Sequence, residues 1–177
     1  HPPLVLFDGE GLGHTADSAI SLPTSMTTRF DSVDAIVLAD SGAQPMQAAP
    51  IAVMRSVVAV GQTSKLFFCF THFDQVFGDN LPTFKAKEQH ILASVENALQ
   101  TIGEQLGPWA ERALRRRAQE AAFFVGGIQE PLNPDTKRGG RSTEQLKRLL
   151  TMIDRAIEPR PPIRSTAIFD KTDLVLA

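Results

Sequence analysis

Two short stretches of the 177-residue sequence place carboxylates and glycines where they could do chemistry. In the first, the apolar run Leu4-Val5-Leu6-Phe7 passes directly into Asp8-Gly9-Glu10-Gly11, with Gly13 close behind. In the second, Leu66-Phe67-Phe68-Cys69-Phe70 passes into Thr71-His72-Phe73-Asp74. Each run reads as a strand buried on both faces with a polar loop at its end. In open α/β sheets, ligands sit beyond the carboxyl ends of such strands. That places Asp8 where a carboxylate could hold a metal. Gly11 has no Cβ, so the backbone there can approach a phosphate and donate its N–H to it. The plain alternatives are an Asp-Gly turn at Asp8 and an Asx-type turn at Asp74. A third apolar run, 35–39, lies between the two and ends in Asp40-Ser41-Gly42.

The elements that must position these loops follow from periodicity. Residues 14–33 are polar and mixed, with a short helix expected near 24–32. After strand 35–39, Ile51, Met54 and Val58 mark one face of a helix ended by Gly61. Strand 66–70 leads into the second polar box, and 75–83 reads as a loop. Ile91, Leu92, Val95, Leu99, Ile102 and Leu106 then recur at helical spacing. Gly107-Pro108 breaks that helix. A second helix over about 109–121 carries Arg115-Arg116-Arg117, which reads as a solvated face.

Residues 122–125 form a fourth strand ending in Gly126-Gly127, and 130–141 reads as a mobile basic loop. Ser142 and Gln145 have capping-box spacing and open a helix burying Leu146, Leu149, Leu150, Ile153 and Ile157. Pro159, Pro161 and Pro162 close the domain, which makes 1–158 one unit and 159–177 a linker and the start of a following segment. Strands and helices alternate, so the expected class is α/β, a mostly parallel sheet with helices on both faces.

Composition excludes several classes. Apolar content of 42% and charged content of 21% suit a globular domain long enough to bury a core. A net charge of −2 gives no general attraction to nucleic acid or anionic membrane. No apolar run approaches the ~18 residues of a membrane span, and no signal peptide is visible. The single cysteine, Cys69, sits within an apolar strand and is expected to be a buried small hydrophobe. A cytoplasmic setting is the expectation.

The two boxes, in this order and this far apart, resemble those of P-loop GTPases. Asp8-Gly9-Glu10-Gly11 is similar to the D-x-x-G box, and Thr71-His72-Phe73-Asp74 to the guanine-recognition box [N/T]-K-x-D. The resemblance spans roughly residues 4–157. Its Asp-x-Glu-Gly-Leu-Gly form is similar to that of large GTPases of the guanylate-binding, atlastin and dynamin type. It implies GTP/GDP as ligand, Mg²⁺ held by Asp8 through a water, and Gly11 donating its N–H to the γ-phosphate, which ties the switch loop to nucleotide state.

The resemblance also implies that Asp74 accepts the ring and exocyclic N–H bonds of guanine. Charge-assisted bonds of that kind are worth ~1.5–3 kcal/mol each. Thr71 would support the loop. His72 stands where the family has a lysine whose stem packs over the base. Gly126-Gly127 falls at the family's Ser-Ala-Lys position, where backbone N–H groups could reach guanine O6.

Two departures stand out. Leu12 follows Gly11 where some GTPases carry a water-positioning glutamine, leaving His14 as a candidate to orient water, or as an ordinary loop histidine. Glu10 could be a supporting partner or simply exposed. No G-x-x-x-x-G-K-[S/T] occurs, so the P-loop, its strand and the first switch threonine are expected upstream, and the sheet is expected to be incomplete without that strand. The chain opens on His1-Pro2-Pro3 and reads as the middle of a longer protein. Phosphoryl transfer needs positioning and charge neutralisation more than covalent help, so the residues as given should bind nucleotide poorly. Expected partners are a guanine nucleotide, the upstream part of the same protein, and a protein partner or second copy. The alternatives are a catalytically inactive GTPase-like scaffold and an ATPase of the same broad fold, which would show no guanine preference.

Overall fold

The computed structural model describes residues 5–7, 22 and 24–157. Its centre is a three-stranded parallel sheet in the order β1 (Ile36–Ser41), β2 (Leu66–Thr71), β3 (Ala122–Phe124). Ile36 lies opposite Leu66, and Phe70 lies opposite both Asp40 and Phe124. Parallel neighbours need crossovers. Here they are α3 (Ala48–Ala59) between β1 and β2, and α4 (Phe84–Leu106) with α5 (Pro108–Glu120) between β2 and β3. Before β1 come two single turns, α1 (Thr24–Thr27) and α2 (Arg29–Ser32), and after β3 comes α6 (Lys137–Ile157). The chain is therefore α/β, with helices on both faces of a parallel sheet.

Successive strand residues point to opposite faces, and the aromatic run of β2 exploits this. Phe68 and Phe70, with Phe124 of β3, pack against Met54, Val58, Ile91, Leu99 and Leu114 of α3, α4 and α5. Phe67 and Cys69, with Phe123, pack against Leu149 of α6. Phe67, Phe68, Phe70 and Phe123 are almost fully buried, each contributing about 1.5–3 kcal/mol of transfer free energy. Cys69 is buried as expected, and burial pushes its thiol pKa up, away from a reactive thiolate. Thr83 caps α4, its hydroxyl oxygen accepting from the N–H of Ala86 at 3.1 Å. Gly107, at a φ of 97°, turns α4 into α5, and Pro108 occupies the first turn of α5.

Four expectations need correction. Residues 5–7 are not a strand, and Val5, Leu6 and Phe7 are exposed. A strand persists only with a hydrogen-bonded neighbour, and among the described residues nothing pairs with 5–7 or with the outer edge of β1. Second, α6 begins at Lys137 instead of Ser142. The residue before it, Thr136, caps the helix, its Oγ1 accepting from the N–H of Gly139 at 3.0 Å. Gly139 and Gly140 fit inside the first turn because a Cβ there would collide with the carbonyls of Asn133 and Pro134.

Third, the arginine run is only partly a solvated face. Arg115 pairs with Glu96 and Glu111, and Arg116 with Glu120. Arg117, however, is largely buried, donates to the carbonyl of Leu66 and lies 4.4 Å over the Phe67 ring. Fourth, Leu92 of α4 and Leu150 of α6 are exposed, not on the buried sides of their helices.

The centre of the sheet and its β1 edge differ. β2 is buried at five consecutive positions, whereas on β1 Val37 is 44% exposed and Ala39 is exposed beside it. The layer containing α6 covers β2 and β3 and stops short of β1.

Candidate functional site

The carboxyl ends of β2 and β3 meet in one cluster. Beyond Thr71 the chain turns sharply through His72, whose φ of 53° is left-handed. For a non-glycine residue that conformation costs about 1–2 kcal/mol. A single 3₁₀ turn follows (Phe73–Gln75), closed by the Gln75 N–H donating to the His72 carbonyl at 2.8 Å. Phe73 anchors the turn. Its ring packs against Phe84 and Phe124, and its N–H donates to the carbonyl of Val125 at 3.1 Å, carrying β2–β3 contact past the strands. The residue after this anchor is Asp74.

The Asp74 side chain is 9% exposed. Its Oδ1 accepts from the N–H of Gly127 at 2.8 Å, across 53 residues of sequence. Its Oδ2 is ion-paired with the guanidinium of Arg138, which is 54% exposed. Gly126 is required here. A Cβ on it would lie 2.6 Å from the Asp74 nitrogen and 2.7 Å from Oδ1. Gly127 has a φ of +70°, and a Cβ on it would touch the Arg138 guanidinium. The N–H of Gly126 donates to Ser142 Oγ at 3.1 Å, and that hydroxyl donates back to the Gly126 carbonyl at 2.8 Å. Gln145, one turn along α6, accepts from the N–H of Phe124 at 3.3 Å. The Ser142–Gln145 pair therefore fastens the end of β3 to α6 instead of capping a helix.

Thr71 joins this cluster to β1. Its hydroxyl donates to the carbonyl of Asp40 at 3.1 Å and lies 3.0 Å from His72 Nδ1. Asp40 is buried. Its carboxylate accepts from the N–H of Ser41 at 2.9 Å and of Met46 at 2.8 Å. Burial pushes its pKa above 3.8, and the two backbone N–H bonds hold that rise back.

The structure thus brings together Thr71, His72, Asp74, Gly126 and Gly127 of the expected site. Asp8, Gly11 and His14, with Glu10 and Leu12, lie outside the described residues. Among the described residues there is no group of three or more His, Cys, Asp or Glu placed to hold a metal ion. Sequence reasoning missed three participants. Arg138 was hidden in a basic stretch that reads as a loop, and Ser142 and Gln145 in spacing that reads as a cap. No short-range signal identifies them, because each acts on a residue of another element.

A second concavity of about 490 Å³ lies along the free edge of β3, lined by Arg115, Arg141, Arg148, Glu88, Glu96 and Gln145 among others. None of the two boxes lines it, and Arg115 and Arg141 are already neutralised by Glu96, Glu111 and Glu88.

Among the described residues no helix is long and apolar enough to cross a membrane. Comparison with protein-family models, with curated proteins and with solved structures gave no match.

Proposed function

We propose that the chain is part of a P-loop-type GTPase domain that binds a guanine nucleotide through the β2–β3 end, with GTP hydrolysis as the activity of the complete domain. One observation carries this reading. The turn Thr71-His72-Phe73-Asp74 at the end of β2 is held directly against Gly126-Gly127 at the end of the adjacent parallel strand β3. A nearly buried carboxylate beside a glycine pair at neighbouring strand ends is an acceptor for a ligand edge that presents N–H groups. Guanine offers two such donors and adenine does not.

The open edge of β1 gives further support. In the family the P-loop strand lies between the strands corresponding to 4–7 and 35–39. A further parallel strand seated beside β1 would cover the edge that no described residue pairs with, and would give 5–7 a neighbour. On this reading Asp8 and Gly11 serve Mg²⁺ and the γ-phosphate, and Mg²⁺, when bound, neutralises charge on the phosphates. The chain's own part is to hold the base. Thr71 fixes the turn to β1, Phe73 pins it to β3, and Asp74 accepts.

A second reading is a GTPase-like module that serves as an interaction surface without hydrolysing nucleotide. It is favoured by the fact that both Asp74 oxygens already have protein partners, as do the N–H groups of Gly126 and Gly127. The deciding measurement is Mg²⁺-dependent affinity for GTP and ATP on the full chain with its P-loop segment, with Asp74→Ala beside it. Tight GTP binding, weak ATP binding and loss of that difference in the variant support the first reading. Equal or absent binding of both nucleotides sinks it.

A further inference from the structure

The partners of Asp74 are unequal. Gly127 donates through its backbone, at a glycine whose position is set by β3. Arg138 donates through a long side chain that is half in water, on the second residue of α6. The helix itself is fixed by Ser142 on Gly126 and by Leu149 in the core. The Arg138 side chain can therefore leave Asp74 without moving its backbone. It also lies over Gly127, close enough to touch a Cβ built there, so the guanidinium covers the solvent side of an otherwise buried carboxylate.

We propose that Arg138 is an internal competitor for the ligand edge of Asp74. This rests on the guanine-binding reading above and deepens it. A guanidinium is a planar fork of parallel N–H donors, matched to a carboxylate. The ring N–H and exocyclic amine of guanine form a fork of the same kind. The two cannot both occupy Oδ2 in that geometry. Without ligand, Arg138 pairs Oδ2 and balances the charge of a nearly buried carboxylate whose other oxygen is held by Gly127. With guanine bound, the arm swings into solvent, where it is already 54% exposed. Arg138 then lowers guanine affinity and, with it, the preference for guanine over adenine. A base without the paired donors cannot replace what Arg138 gives to Asp74, so it gains little by displacing the arm.

The test is the ratio of GMP to AMP affinity on the full chain, by calorimetry or NMR titration, for wild type, Arg138→Gln and Asp74→Ala. The two nucleotides carry the same phosphate, so screening of the phosphate cancels in the ratio. An exposed ion pair weakens as salt rises, so the wild-type ratio should rise between about 0.05 and 0.5 M salt. Arg138→Gln should bind GMP about three- to tenfold more tightly than wild type, and its GMP-to-AMP ratio should not change with salt. If Arg138→Gln does not fold, the salt dependence of the wild-type ratio decides alone. A ratio that Asp74→Ala abolishes but Arg138→Gln and salt leave unchanged overturns the competitor and leaves guanine binding standing. No GMP preference in any of the three proteins overturns the guanine reading and the competitor with it.

Discussion

Asp40 is a buried and Asp74 a nearly buried carboxylate at the ends of neighbouring parallel strands, and they are satisfied in different ways. Asp40 is satisfied locally. Its two partners are backbone N–H groups one and six residues away, which no ligand can displace without unfolding the turn. Asp74 is satisfied at long range, by a backbone N–H 53 residues away and by a half-exposed arginine on a third element. Only the second arrangement includes a partner that can be exchanged. A buried carboxylate alone therefore does not mark a binding site. Asp74 differs from Asp40 in having one permanent donor and one exchangeable donor.

The comparison can be tested at its structural member first. Asp40→Ala removes the acceptor of two backbone N–H groups, one of them on Met46, whose φ of 60° depends on a held turn. Leaving a buried donor unpaired costs about 1–3 kcal/mol, so a loss of about 2–4 kcal/mol in chemical denaturation is expected. A loss near zero would show that the turn does not need its carboxylate.

Gly126→Ala comes next. The new Cβ must push against the Asp74 backbone and Oδ1, and overpacking of this kind costs about 1–3 kcal/mol. Unlike Asp40→Ala, it should also weaken any guanine preference, because it displaces Asp74. Stability lost with unchanged preference would separate Asp74 from ligand binding.

The smallest effect is in pH. Burial raises the Asp40 pKa above its ordinary 3.8, so the folded state holds this proton more tightly than the unfolded state. Its stabilising contribution is full below about pH 3.8 and declines as pH rises through the raised folded value. Wild type should accordingly lose stability relative to Asp40→Asn across that window. A difference independent of pH would mean that the hydrogen bonds from Ser41 and Met46 cancel the cost of burial.

Much of the scaffold is legible in the chain. The run 66–70 reads as a strand buried on both faces because five consecutive apolar residues leave no solvent side, and it is one. The face 91-95-99-102 reads as buried because side chains three and four apart stack on one side of a helix, and those residues are buried. Strand and helix boundaries fall within a few residues of expectation, except for α6. There, two glycines in the first turn hide the start, since glycine disfavours a helix until a neighbouring backbone makes any larger residue impossible.

Residues 5–7 of the strand expected at 4–7 do not form one, for a related reason. Apolar content favours a strand, but a strand forms only against a neighbour. Local pattern by itself determined which segments fold and which faces they bury, because both depend on spacing of a few residues. Only the tertiary structure decided that Asp74 meets Gly127 and Arg138, that Ser142 holds Gly126, and that no described residue pairs with the outer edge of β1. Those facts are set by which strand ends come to lie side by side, and hydrogen-bond partners drawn from distant parts of the chain leave no periodic trace in it.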